Sequence, residues 1–236
     1  MRARPGMSHA QAGREADVQQ EWSVSIHAGV RASIRYFDQG EQCQAVKVLP
    51  NEYYVAAPGD GLLLTTVLGS CVAACVRDGA NGVGGMNHFI LPGVAPTESG
   101  RAPAGSMRYG QHAMDTLIEA LIRAGAQRQR LEAKVFGGGA VLAGVTRMAV
   151  GASNAKFVRA YLERAGIPVI AHDLGGTQAR RVNFFPASGL TRVRRFGGQQ
   201  ADAAEREALA WAARVRALEH EPDERLYLGN SKQEKQ

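Results

Sequence analysis

Seven residues in a row, Leu62 to Leu68, carry no charge, and Gly61 and Gly69 close the run at either end. A short apolar, β-branched stretch bounded by glycines predicts a buried strand. A second such run, Val72 to Val76, ends at Asp78-Gly79, and a third passes from Met86 through Leu91 to Pro92. Residues 93–106 are rich in Gly, Ala, Pro and Ser and predict a loop. The period then lengthens. Met114, Leu117, Ile118, Leu121 and Ile122 recur at three and four residues and form one apolar stripe of a helix that Gly125 stops. Leu131 to Phe136 predicts a strand that leads into Gly137-Gly138-Gly139. Ser153 predicts the cap of a second helix, with Ala155, Val158, Tyr161, Leu162 and Ala165 on one face and Gly166 and Pro168 at its end. Ile167 to Ala171 reads as a strand. Val182 to Phe185 and Thr191 to Phe196 read as a hairpin across Pro186 and Gly189.

The flanks are less regular. Residues 1–21 are polar, rich in Gln, Arg and Ala, and predict disorder. Trp22 to Tyr54 alternates irregularly and predicts one or two strands. Ala201 to Glu219 predicts a last helix, whose Ala204, Ala208, Trp211, Val215 and Leu218 are spaced 4, 3, 4, 3. That narrow seam either folds back on its own domain or docks a partner helix. Strands cluster early, two helices sit in the middle and a hairpin follows. This order predicts an α+β fold and not a doubly wound parallel sheet. The expected architecture is a mixed β-sheet sandwich with helices packed on the outside, as a single domain over 46–198. An N-terminal extension (1–45) and a C-terminal helix and tail (199–236) flank it.

Charge separates the same three parts. The chain has net charge +6, yet 46–198 alone holds 17 basic and 9 acidic residues, net +8. The two flanks are neutral and acidic. A basic core favours an acidic partner. Aromatic residues make up only 6%, and no zinc, KH, RNP or helix-turn-helix signature occurs, so nucleic acid is not expected as the partner. No run of apolar residues is long enough to span a membrane, and the first 22 residues carry six charges without an apolar stretch. A cytoplasmic location is expected. Three cysteines, Cys43, Cys71 and Cys75, do not make a disulfide framework.

Candidate chemistry concentrates between Thr65 and Leu91. Leu68-Gly69-Ser70-Cys71 sets a cysteine just after a strand and a Gly-Ser break, and His88 follows 17 residues later in Gly85-Met86-Asn87-His88-Phe89. A nucleophilic thiol needs a base that takes its proton, and an imidazole within reach supplies one. Two adjacent strands could bring residues 17 apart face to face. The spacing permits the pair without establishing it: a cysteine in an apolar strand is most often a small buried hydrophobe. No paired-ligand spacing for a metal is present, and Gly137-Gly138-Gly139 lacks the Lys-Ser/Thr of a phosphate loop.

Leu68-Gly69-Ser70-Cys71-Val72-Ala73 and Gly85-Met86-Asn87-His88-Phe89-Ile90-Leu91-Pro92 resemble the two signature blocks of the CheD family of chemoreceptor glutamine deamidases. Arg108-Tyr109-Gly110, Leu131 to Gly138, Gly151-Ala152-Ser153-Asn154, and Asp173 to Gly176 with Ala179 to Val182 follow in the family's order. The resemblance runs from about Val46 to Gly198 and leaves both flanks outside. It implies a protein-glutamine glutaminase with Cys71 as nucleophile, His88 as base and Thr65, six residues before the cysteine, as the third member. Thr66 carries the same hydroxyl one position on. Ser70 and Asn87 are the candidates for substrate contact, and backbone N–H groups near Ser70 and Cys71 for an oxyanion hole. No metal or cofactor is implied. The implied partners are the cytoplasmic helices of methyl-accepting chemotaxis receptors and a CheC-type chemotaxis phosphatase. Arg101, Arg108, Arg180 and Arg181 are candidates for the receptor-facing surface. The alternative is a non-catalytic adaptor that binds receptors or the phosphatase.

Overall fold

The structure is a computed structural model that describes residues 30–91, 104–141 and 145–197, with the single residues 199, 206 and 210. Its strands are β1 (Val30–Arg31), β2 (Ile34–Asp38), β3 (Cys43–Lys47), β4 (Glu52–Ala56), β5 (Leu63–Leu68), β6 (Val72–Asp78), β7 (Val83–Asn87), β8 (Leu131–Gly137), β9 (Val169–Leu174), β10 (Ala179–Phe184) and β11 (Thr191–Phe196). Among the described residues the α-helices bounded at both ends are α1 (Ala104–Arg123) and α2 (Val145–Arg164), and Arg128–Arg130 form a 3-10 turn ahead of β8. The fold is α+β. A six-stranded sheet has the order β1-β4-β7-β6-β8-β9, and a five-stranded sheet the order β11-β10-β5-β3-β2.

β6 shows why the sequence reads as it does. Val72, Ala74 and Val76 belong to a core shared with Met114, Leu117 and Leu121 of α1 and Phe157, Val158 and Leu162 of α2. Cys71, Ala73 and Cys75 belong to a second core, shared with Leu64, Leu68, Val182 and Phe184 of the five-stranded sheet. Successive side chains of a strand point to opposite faces. A strand covered on both faces must be apolar at every position, and Val72 to Val76 is.

The predicted strands at Leu62–Leu68, Val72–Val76 and Leu131–Phe136 are present, and β10 pairs antiparallel with β11 as the expected hairpin. Other expectations are corrected. Four strands, not one or two, lie between Val30 and Ala56, and β2 pairs with β3 within the five-stranded sheet. β7 begins at Val83 and runs through Gly84 and Gly85, ahead of the run expected from Met86, and ends at Asn87. A Cβ on Gly85 would sit 2.6 Å from the Tyr54 carbonyl oxygen, so the missing side chain lets neighbouring elements close on the strand. α1 starts at Ala104, inside the expected loop. α2 starts at Val145, so Ser153 lies within it and is no cap. Ile122 is 39% exposed and leaves the apolar stripe. The predicted structure of residues 1–21, and most of Ala201–Glu219, lies outside the described residues; Arg206 and Ala210 are helical. Among the described residues no helix is long and apolar enough to cross a membrane.

Candidate active site

β5 and β6 belong to different sheets, so Gly69-Ser70-Cys71 carries the chain from one to the other. His88 directly follows the last residue of β7. Val72 and Phe89 exchange two backbone hydrogen bonds of 2.9 Å, and Cys75 pairs with Met86. The register is the same on both sides of that interval, so Ala73 comes opposite His88. Cys71 lies one diagonal step away on the same face. Diagonal neighbours are about 7–8 Å apart at Cα, within reach of long side chains. That face is the one covered by the five-stranded sheet: Cys71, Ala73, Cys75, Met86 and Ile90 all lie in its core. Cys71 is fully buried and His88 is 3% exposed.

The imidazole has a defined tautomer. Thr66 Oγ1 donates to the Val48 carbonyl at 2.6 Å and lies 2.8 Å from His88 Nδ1. A carbonyl only accepts, so the single hydroxyl proton is committed to Val48. Thr66 Oγ1 must then accept from Nδ1–H. A 3.4 Å approach of Nδ1 to the same carbonyl agrees, since that atom too can only accept. The lone pair therefore sits on Nε2, which is buried and has no hydrogen-bond partner among the described residues. Desolvation pushes the His88 pKa down from 6.5 to about 4, against a small opposing effect of the Val48 carbonyl. At neutral pH the ring is an uncharged base with one nitrogen fixed and one open.

Thr65 does not reach His88. Its hydroxyl donates to Asn183 Oδ1 at 2.7 Å, on the opposite face of β5, where Asn183 is its register partner. Leu64, Thr66 and Leu68 share the inner face. β5 and β6 lie in different sheets, so the even spacing of Thr65 and Cys71 does not put them on one face.

Asn87 is also placed elsewhere. Its Oδ1 accepts from the Ala74 N–H at 3.0 Å, while Nδ2 donates to the Ala113 carbonyl at 3.1 Å and approaches Met114 Sδ at 3.4 Å. It ties α1 to the six-stranded sheet on the helix side. Ser70 is buried beside Cys71, and its carbonyl accepts from Asn154 Nδ2 at 2.7 Å. Cys75 shares the face of Cys71, but burial pushes its thiol well above the ordinary range, which leaves it an inert core residue.

The glycine run that closes and follows β8 walls Cys71. Gly138 N–H donates to the Cys71 carbonyl at 2.7 Å and Gly139 N–H to the Gly69 carbonyl at 2.8 Å. Gly137 has φ +108°, and a Cβ there would lie 2.1 Å from the Cys71 carbonyl oxygen. Only glycine fits so close an approach with that backbone. The turn after β9 backs this loop, with Ala140 N–H on Gly176 and Gly175 N–H on Gly137.

Arg180 holds that turn from inside. It is 1% exposed, donates to the Asp173 carbonyl at 2.5 Å and to the Gly175 carbonyl, and pairs with the Asp173 carboxylate at 3.0 Å. It is therefore no surface residue. Arg181 is exposed, while Arg101 and the Arg108 side chain lie outside the described residues. Sequence reasoning missed Asn154, Val48 and the burial of Arg180. Among the described residues no three His, Cys, Asp or Glu side chains cluster as metal ligands.

Residues 90–195 match the family described as CheD chemotactic sensory transduction. A protein of Bordetella petrii, named probable chemoreceptor glutamine deamidase CheD, is 53% identical over 197 residues, which span 81% of this chain and 86% of that one. Proteins of the same name from Cupriavidus pinatubonensis and Ralstonia nicotianae are similar. The first is 55% identical over 168 residues, covering 71% and 76% of the two chains. The second is 47% identical over 194 residues, covering 82% of each.

Proposed function

The chain belongs to the CheD family, and on that premise we propose that it hydrolyses the side-chain amide of glutamine on chemoreceptors, with Cys71 as nucleophile and His88 as base. The observation that carries the chemistry is the Thr66–His88 hydrogen bond, which leaves Nε2 with its lone pair on the face that also bears Cys71.

The reaction follows from these groups. His88 Nε2 takes the Cys71 proton, and the thiolate attacks the carboxamide carbon. As the C–N bond breaks, the imidazolium gives that proton to the departing nitrogen and ammonia leaves. Water then attacks the thioester, with His88 again as base. The C–S bond breaks, glutamate is released and the thiol is restored. Thr66 takes the orienting part expected of Thr65. Burial around His88 keeps the resting imidazole neutral and able to accept a proton.

The two sheets stack as a mixed sandwich with both helices outside, and the pair sits in the seam. The substrates are glutamines on the cytoplasmic helices of methyl-accepting receptors, which puts the protein in the cytoplasm. The product glutamates become sites that can be methylated, a step in adaptation. A CheC-type phosphatase is a second partner in this reading. The exposed Arg181 and the net charge of +8 over 46–198 favour an acidic helical surface, with salt-dependent association.

The test is the mass of a receptor cytoplasmic fragment incubated with wild type or with Cys71→Ala. We expect amide-to-acid conversion at mapped glutamines with wild type and at least about a thousandfold slower conversion with the variant. Equal conversion by both proteins would remove Cys71 as nucleophile. Binding without conversion by wild type would leave the adaptor reading.

A further inference from the structure

Asn154 of α2 is fully buried, and its carboxamide joins two backbone segments two residues beyond their last bonded pair, Val72 and Phe89. Nδ2 donates to the Ser70 carbonyl at 2.7 Å, and Oδ1 accepts from the Leu91 N–H at 2.9 Å. Ser70 immediately precedes Cys71, and Leu91 lies three residues after His88. The two bonds run in opposite directions, one donated and one accepted. A neutral carboxamide provides both, whereas a carboxylate only accepts.

α2 comes this close because of Gly151, one turn before Asn154. A Cβ on Gly151 would lie 2.5 Å from the Gly139 carbonyl oxygen and 2.6 Å from that of Gly138. Residues three apart share a helix face. One face of α2 thus rests on the glycine wall, and that wall holds the carbonyls of Gly69 and Cys71. The same face reaches Ser70 and Leu91 through a single side chain.

We propose that Asn154 is a positioning residue for the nucleophile and its base: by joining Ser70 to Leu91 it fixes the separation of Cys71 from His88. Both of its bonds go to backbone, so it acts through geometry and not by touching substrate. The inference rests on the Cys71–His88 reading above, and its test separates the two.

Asn154→Asp keeps the shape and removes the donor. At neutral pH a carboxylate faces the Ser70 carbonyl, acceptor against acceptor. We expect kcat to fall about a hundredfold with KM unchanged, the scale of a misplaced reacting group. A buried carboxyl gains its proton well above the ordinary carboxylate range. On acidification toward about pH 6 it regains the donor, and kcat should return toward wild type. His88 stays neutral in that window, since burial holds its pKa near about 4. Asn154→Ala has no proton to gain and should be slow at every pH.

Iodoacetamide modification of Cys71, read at its own peptide, follows the same pair without a receptor. If wild type converts no receptor but Cys71 modification shows this pattern across the three proteins, the deamidase assignment fails and the positioning role stands. Wild-type kcat in Asn154→Asp at neutral pH would overturn the proposal. So would a loss that acid does not reverse, or identical Cys71 modification in all three proteins. Should Asn154→Asp fail to fold at neutral pH, folded Asn154→Ala decides. Reduced kcat at unchanged KM upholds the role and wild-type kcat refutes it.

Discussion

Asn87 and His88 are consecutive residues that face opposite sides of one sheet, and the two sides use polar groups differently. Toward the helices, Asn87 has both ends of its amide engaged, against Ala74, Ala113 and Met114, within an otherwise apolar core. Toward the second sheet, His88 has one nitrogen held by Thr66 and the other without a hydrogen-bond partner. Buried polar groups are almost always paired, and an exception asks for a reason. The helix side follows the rule of a stable core. The inter-sheet side breaks it at His88 Nε2, the atom a thiol would need. Burial alone does not tell the two residues apart, because Asn87 is 2% and His88 3% exposed.

The largest test of this contrast is His88→Gln, which keeps a polar side chain but removes the basic nitrogen. We expect deamidation to fall roughly a thousandfold, within the range for a lost general base. The same variant tests the ionisation. In the unfolded chain His88 takes a proton below about pH 6.5, and in the folded protein only below about 4. Between those values the unfolded state binds the proton and the folded state does not. Stability due to this group is therefore complete above pH 6.5 and declines as pH falls toward 4, by about 3 kcal/mol. Urea unfolding across that range should show the slope in wild type and lose it in His88→Gln.

Asn87→Ala should do the opposite on the other face. It strands the Ala74 N–H in the core, while the Ala113 carbonyl keeps its helical partner in α1, at a cost of about 2 kcal/mol by urea unfolding. kcat at a temperature where the variant is folded should stay near wild type. A large kcat loss there would mean that the two faces are not separable.

The smallest effects belong to the threonine pair. Thr66→Val removes the acceptor that fixes Nδ1–H, and we expect kcat to fall about tenfold as the ring loses its fixed tautomer. Thr65→Val loses the bond to Asn183 and the interaction with Tyr36, about 1 kcal/mol of stability, with kcat unchanged. The reverse ranking would return the orienting role to Thr65.

The sequence carried what depends on local pattern. The Leu62–Leu68 and Val72–Val76 runs are strands because both their faces are covered, and an unbroken apolar run is the mark of that. Cys71 and His88 stand out through the Gly-Ser break and through motif resemblance. What it did not carry are relations between distant segments. Thr65 and Thr66 differ by one residue and so by a whole face, and which one meets His88 depends on β5 and β6 lying in different sheets. Arg180 looks like any surface arginine until Asp173, Gly175 and Gln178 close around it. Asn154 sits in a helix that begins at Val145, ahead of the cap expected at Ser153, and Gly151 in between is a contact point with the glycine wall.

The chain's passage from β5 to β6 has one more effect. Thr66 reaches His88 from the other sheet, so the histidine acquires its working tautomer only while the two layers are in register. The chemistry thereby reports on a joint. Under the proposed mechanism, whatever breaks the Thr66–His88 bond between the sheets slows deamidation before it unfolds the chain, because local opening costs less than global unfolding.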